Sequence, residues 1–330
     1  MSVLQKEYVK FIKEIKLTEA KKKGLYKSRK AIRDKIRNYF KENKPHLPKP
    51  KFYGQGSVVT DTAINPIPLG KKRLPYDIDD GVYFIGTANE IKELNIDSLY
   101  GAIGNAVDSH TDKPIKNKRT CVRVYFADDH YFDLPVYRKN INTNTIELGH
   151  RSKGWLNDDP RAFADWFAQE KKSKPNLNNI VRLLKAWKNF QEHHHSNLKL
   201  PSGFELTVLA TYHYHHFDNL DKALLHTCQE INNSLRGNFS CMMPTVPKDE
   251  NILDEYSDKR KADFLKKLSD LFNYLEEAQN EPNELKATEI LRDKVFGNRF
   301  PKGQNIDSST RADDLDKGIG GASIKPKPYG

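Results

Sequence analysis

The sequence predicts an α+β protein, with a mixed α/β first half and a wholly helical second half. Two observations carry this. β-prone runs gather at 76–85, 120–126 and 130–137, whereas from residue 155 onward apolar residues recur at helical spacing.

Taken in order, Val3, Tyr8, Phe11, Ile12 and Ile15 outline an amphipathic helix over 3–16. Thr18 can cap a longer second helix to about residue 43, with Ile32, Ile36, Tyr39 and Phe40 along one side. Pro45, Pro48 and Pro50 stop it. A Gly-Ser turn precedes the 76–85 strand, and a helix near 97–109 follows. The strands at 120–126 and 130–137 meet in a turn at Asp128-Asp129. Asp158 or Asp159 with Pro160 opens the next helix. Further helices are expected at 178–191, 203–217, 219–235, 258–279 and 283–295. Residues 301–330, rich in Gly, Ser, Lys and Pro, read as a flexible tail. The expected organisation is therefore 1–150, 151–300 and 301–330, with the packing of the N-terminal helices left open between the first two.

The chain has 330 residues and a formal charge of +11. Residues 1–60 hold 17 basic against 5 acidic side chains, a net +12, so the whole excess belongs to this segment. Such an arm either attracts an anionic partner or forms the solvated face of two surface helices. No apolar run approaches the length of a membrane span, and the Lys- and Glu-rich N-terminus has no signal-peptide core. The cysteines Cys121, Cys228 and Cys241 lack metal-type spacing and are expected to be reduced thiols in a cytoplasmic protein.

Residues 54–84 concentrate the chemistry. In a strand, Asp77 and Asp79 point the same way, about 6.8 Å apart, while Ile78 points into the core. Two carboxylates on one face, with Asp133 from the 130–137 strand, can hold two Mg²⁺ ions, with Mn²⁺ as a substitute. Gly56 lets backbone approach a phosphate closely, and Ser57 offers a hydroxyl and an amide. This is the layout of a nucleotidyltransferase site. The competing reading makes Asp79-Asp80-Gly81 a plain turn and residues 54–57 a loop.

At these residues the chain resembles the cGAS/DncV-like nucleotidyltransferases (CD-NTases) of bacterial antiphage CBASS systems. QGSVVTDT followed by DIDDGVYF is similar to that family's catalytic signature, and FDLPVY to its third-aspartate strand. KGWLNDDPRAFADWF, VRLLKAWKNFQ, LPSGFELTVLAT and VFGNRF resemble its helical-half motifs in order. The resemblance implies a polymerase-β-like core joined to a helical domain, making a cyclic dinucleotide, with cyclic GMP-AMP favoured, from ATP and GTP with Mg²⁺. By matching position it implies Asp77, Asp79 and Asp133 as metal ligands. It implies Gln55, Gly56, Ser57, Asp61, Arg123, Lys185 and Ser202 as nucleotide or phosphate contacts. It also implies a downstream cyclic-nucleotide-sensing effector and a ubiquitin-transfer-like accessory enzyme acting on Gly330. Nucleic acid is not expected as a ligand.

Two departures stand out. The basic patch GKKRLP lies between Ser57 and Asp77, and PTVPKDENIL (244–253) lacks a base-reading aspartate, with Thr245 the nearest candidate. A template-independent linear nucleotidyltransferase and a non-catalytic RNA-binding protein remain as alternatives. His193-His194-His195 reads as a solvated turn after a helix. His213 and His216 share a helical face but lack a carboxylate or Cys partner for zinc. Trp155, Trp166 and Trp187, at helical spacing or helix starts, read as core, as does Tyr83.

Overall fold

A computed structural model describes residues 4–65, 67–69, 72–73, 76–108, 110–126 and 130–307. The chain opens with α1 (Gln5–Ile15) and α2 (Glu19–Asn43), the latter capped by Thr18 through the Lys21 amide. Strand β1 (Lys51–Gln55) runs into the single turn α3 (Gly56–Val59). A two-residue ribbon, β2 (Pro68–Leu69) and β3 (Lys72–Arg73), precedes the long strand β4 (Tyr76–Gly86). Then come α4 (Ala88–Ile91), α5 (Ile96–Val107), β5 (Lys116–Asn117), β6 (Val122–Tyr125), β7 (His130–Leu134) and β8 (Val136–Asn140). The hairpin β9 (Ile146–His150) and β10 (Gly154–Asn157) closes the α/β half.

The helical half comprises α6 (Pro160–Ser173), α7 (Leu177–His194), α8 (Gly203–Tyr212), α9 (Leu220–Gly237), α10 (Asp258–Asn280) and α11 (Glu284–Ile290). A π-helical turn, Leu291–Phe296, continues α11. Among the described residues no helix is long and apolar enough to cross a membrane.

The sheet runs β10-β9-β8-β4-β7-β6-β5, with β1 also paired to β4. The first four residues of β4 pair in parallel with β7, which sets Asp79 level with Asp133. Pro135 interrupts β7 and β8, and its carbonyl still accepts from the Val82 amide. One face of the sheet, with Ile78, Val82 and Phe84, packs on α2 and α5 into one core. A second core holds the helical half, and α1 belongs to it: Tyr8 and Phe11 meet Phe300 at 5.2 and 5.1 Å between ring centroids. The two N-terminal helices therefore divide between the two cores.

Several expectations need correction. The hairpin at 146–157 lies where helical texture was expected to begin at 155, and Trp155 is a β10 residue under the Arg138 guanidinium, not a helix start. Its ring is bulky and β-prone, so the strand reading was available. The helix begun at 203 ends at Tyr212, and His213 and His216 lie in the following connection rather than on one helical face. His193 and His194 belong to α7, with His195 at its cap. Residues 301–307 are pinned rather than tail-like: the Glu284 amide donates to Ile306 and the Gly303 amide to Thr288 Oγ1. Trp166, Trp187 and Tyr83 pack in core clusters as expected. Val3, the Asp128-Asp129 turn, most of GKKRLP and Gly330 lie outside the described residues.

Candidate active site

Antiparallel pairing of β1 with β4 sets Gln55 opposite Asp79, so the chain leaves β1 at Gly56 directly beside the carboxylates. Gly56 has φ +71°, a left-handed conformation that glycine adopts without penalty. A Cβ there would stand 2.2 Å from Asp79 Oδ2, so side-chain absence is what lets α3 approach. The turn is then closed by the Thr62 and Ala63 amides, both donating to the Ser57 carbonyl.

Strand alternation works as expected along β4. Asp77 and Asp79 face a cleft of 670 Å³, whose walls include Ser57, Lys185 and Ser202. Ile78 and Asp80 point to the other face. There Asp80, fully buried, accepts a two-pronged bond from Arg33 of α2 at 2.7 and 2.5 Å. Burial and the nearby Asp133 hold the Asp77 carboxyl above its ordinary range. Burial, Asp77 and Asp133 push Asp79 up further. Burial dominates in both, with the crowded negative charge at the head of the sheet adding to it.

Asp133 is engaged differently. Arg123, its cross-strand neighbour on β6, donates from Nε and Nη2 at 2.6 Å each, and Lys118 Nζ stands 3.7 Å away. The Arg123 guanidinium also lies 3.4 Å over the Tyr131 ring. Among the described residues no three His, Cys, Asp or Glu side chains are gathered to hold one ion. Asp77 and Asp79 do fit a divalent cation, because their mutual repulsion is what such an ion relieves. Asp133 has both carboxylate oxygens taken by Arg123 in this arrangement.

The helical half supplies the opposite wall. Lys185 of α7 donates to Thr62 Oγ1 at 2.8 Å, and burial brings its ammonium down to about 8, against the pull of Asp77 and Asp79. Lys188, one turn on, lines the same cleft; its i+3 spacing from Lys185 was a readable signal. Ser202 caps α8 in a reciprocal capping box with Glu205.

Two expected contacts sit elsewhere. Asp61 does not line this cleft: Arg182 at 2.8 Å and Asn178 at 3.1 Å hold its carboxylate, tying the Gly56 loop to α7. Burial alone would raise its pKa, but the Arg182 bond wins and leaves it below the ordinary value. Gln55 is buried, and its Nε2 donates to the Tyr137 hydroxyl at 3.1 Å. Tyr137 in turn donates to Asp158 Oδ2 at 3.2 Å. Asp158 borders a second cavity of 1360 Å³ that shares Gly56, Asp79, Ser202 and Phe204 with the first.

Residues 50–137 match the family described as Cyclic GMP-AMP synthase DncV-like, nucleotidyltransferase domain. A cyclic GMP-AMP synthase of Escherichia albertii is 30% identical over 201 residues, which are 56% of this chain and 43% of that protein. That match thus spans less than half of the relative's length. A cyclic AMP-AMP-AMP synthase of an Acinetobacter species is 21% identical over 94% of this chain and 89% of that protein. The crystal structure of Vibrio cholerae DncV cyclic AMP-GMP synthase shares the fold, with a TM-score of 0.76 at 19% identity over 92% of this chain and 98% of that one. The glycine-serine turn and the β4 aspartates both fall inside the matched 50–137 segment, so the part of the chain that carries them is similar to a DncV-like nucleotidyltransferase domain.

Proposed function

We propose that this enzyme joins nucleoside triphosphates into a cyclic dinucleotide, cyclic GMP-AMP, releasing pyrophosphate. The observation that carries the reading is the pair Asp77 and Asp79 on one face of β4, both lining the cleft and set against Gly56. Asp77, Asp79 and Asp133 would hold Mg²⁺, which when bound lowers the pKa of the attacking sugar hydroxyl and neutralises triphosphate charge. Gly56 exposes backbone to the triphosphate, and Ser57 donates to its oxygens. Lys185 adds positive charge from α7, beside a Lys188 that is paired to Glu192. Arg123, released from Asp133, is then free to pair with a phosphate. The linear intermediate turns over in the same cleft before the ring closes.

The Escherichia albertii relative supports a GMP-AMP product, and the Acinetobacter relative keeps a three-nucleotide ring as a second reading. The reading extends to a role in antiphage signalling, with an effector that senses the product. The experiment is incubation with Mg²⁺ and all four NTPs, phosphatase treatment and mass spectrometry. A phosphatase-resistant cyclic product is expected, and the double variant Asp77→Asn, Asp79→Asn should release no pyrophosphate while remaining folded. A phosphatase-sensitive ladder would identify a linear polymerase instead.

A further inference from the structure

The second cavity is larger than the triphosphate cleft and opens from it at Gly56, Asp79 and Phe204. Its walls differ in character. Phe204, at the first turn of α8, keeps 37% of its surface exposed and lies with its ring 4.7 Å from that of Phe163. An aromatic face left open at the junction of two cavities is a stacking platform for a flat ring. The same cavity is lined by two carboxylates, Asp158 and Glu250, close enough to interact electrostatically.

Two charged groups on this wall, Glu205 and Arg260, are already engaged. Glu205 accepts from the Ser202 amide and from Tyr256, and Arg260 donates to Tyr256 at 2.7 Å. Asp158 differs: one oxygen accepts from Tyr137 and the carboxylate retains further acceptor capacity. Tyr137 is itself fixed by Gln55 and by stacking on Tyr83 at 4.6 Å, so Asp158 is held in place from behind.

We propose that Asp158 is a specificity-determining residue that reads a guanine base stacked on Phe204. The inference rests on the nucleotidyltransferase reading above and deepens it. The paired acceptor oxygens of a carboxylate suit an edge made of two donors. Guanine presents N1–H and the N2 amine side by side, which a carboxylate takes as a pair; adenine presents one donor next to an acceptor. Burial, Asp159 and Glu250 push the Asp158 carboxyl up to about 6, against the Tyr137 bond. Two added N–H donors would relieve that strain on its charged form. The role expected of a residue within 244–253, where Thr245 stands, thus falls to a residue from the β10–α6 junction.

The test is calorimetric titration of the full chain with GTP, ITP and ATP, ITP being guanosine triphosphate without the N2 amine. The wild type should bind GTP roughly 5- to 100-fold more tightly than ITP. Asp158→Asn should abolish that ratio while ATP binding changes less than about twofold. Tyr137→Phe separates direct reading from support, since it loosens the network but keeps the carboxylate, and it should retain the GTP/ITP ratio. An Asp158→Asn variant that keeps the ratio, or weakens all three nucleotides equally, overturns the proposal. Equal binding of all three by the wild type, with pyrophosphate still released, sinks this inference alone. Binding of none of them sinks the nucleotidyltransferase reading as well.

Discussion

Asp79 Oδ2 occupies the space where a side chain on Gly56 would begin, 2.2 Å from its Cβ position. The loop that would cradle phosphate and the carboxylate that would hold metal are thus in contact through the absence of one methyl group. Gly56→Ala must displace one of them and also strain a left-handed residue by roughly 1–2 kcal/mol. The expected outcome is a folded protein with a slightly lower melting temperature and a loss of about 10²-fold or more in pyrophosphate release. Wild-type turnover would show that the contact is dispensable.

Behind the site, Asp80 and Arg33 form a fully buried-to-half-buried ion pair that joins α2 to β4. Removing one partner leaves the other charge uncompensated. Asp80→Asn or Arg33→Met should cost about 3–5 kcal/mol in urea denaturation, and the double apolar variant should recover part of it. Equal losses in single and double variants would mean the pair does not couple.

Lys185, brought down to about 8 by burial, should be charged at neutral pH and lose its proton as pH rises through that value. Triphosphate affinity measured in EDTA should then weaken between pH 7 and 9.5. Lys185→Arg keeps its charge over that range, so its profile should be flat. A flat wild-type profile would remove Lys185 from phosphate binding.

Asp158 titrates the other way. Its carboxyl sits at about 6 in the folded chain, above the ordinary carboxylate value, so the folded state holds the extra proton between roughly pH 4 and 6. Stability contributed by this group is therefore lost as pH rises through that window. Asp158→Asn should be more stable than wild type at pH 7–8 by at most roughly 3 kcal/mol, with the difference vanishing below about pH 4. Thermal melts of both proteins across that range would check it.

Much of the site was legible along the chain because strand geometry is local. Period-two alternation places Asp77 and Asp79 on one face and sends Ile78 to the core without any knowledge of the fold. The Gly-Ser turn and the capping residues Thr18 and Asp159 are local in the same sense. The hairpin at 146–157 was less so, because its four- and five-residue strands carry only weak alternation. The pinning of 301–307 depends on Glu284 and Thr288, which a tail-like composition does not reveal.

What only the tertiary structure decided is which charge meets which. Asp80 finds Arg33 across 47 positions, Asp61 finds Arg182 across 121, and Arg123 takes Asp133 through strand register. Asp158 reaches Gln55 only through Tyr137, a partner on a different strand. The physical reason is range. Backbone periodicity is set by the residue and its near neighbours, whereas ion pairs and cavities arise where distant elements pack, so the aspartates were written in the sequence and their partners were assigned by folding.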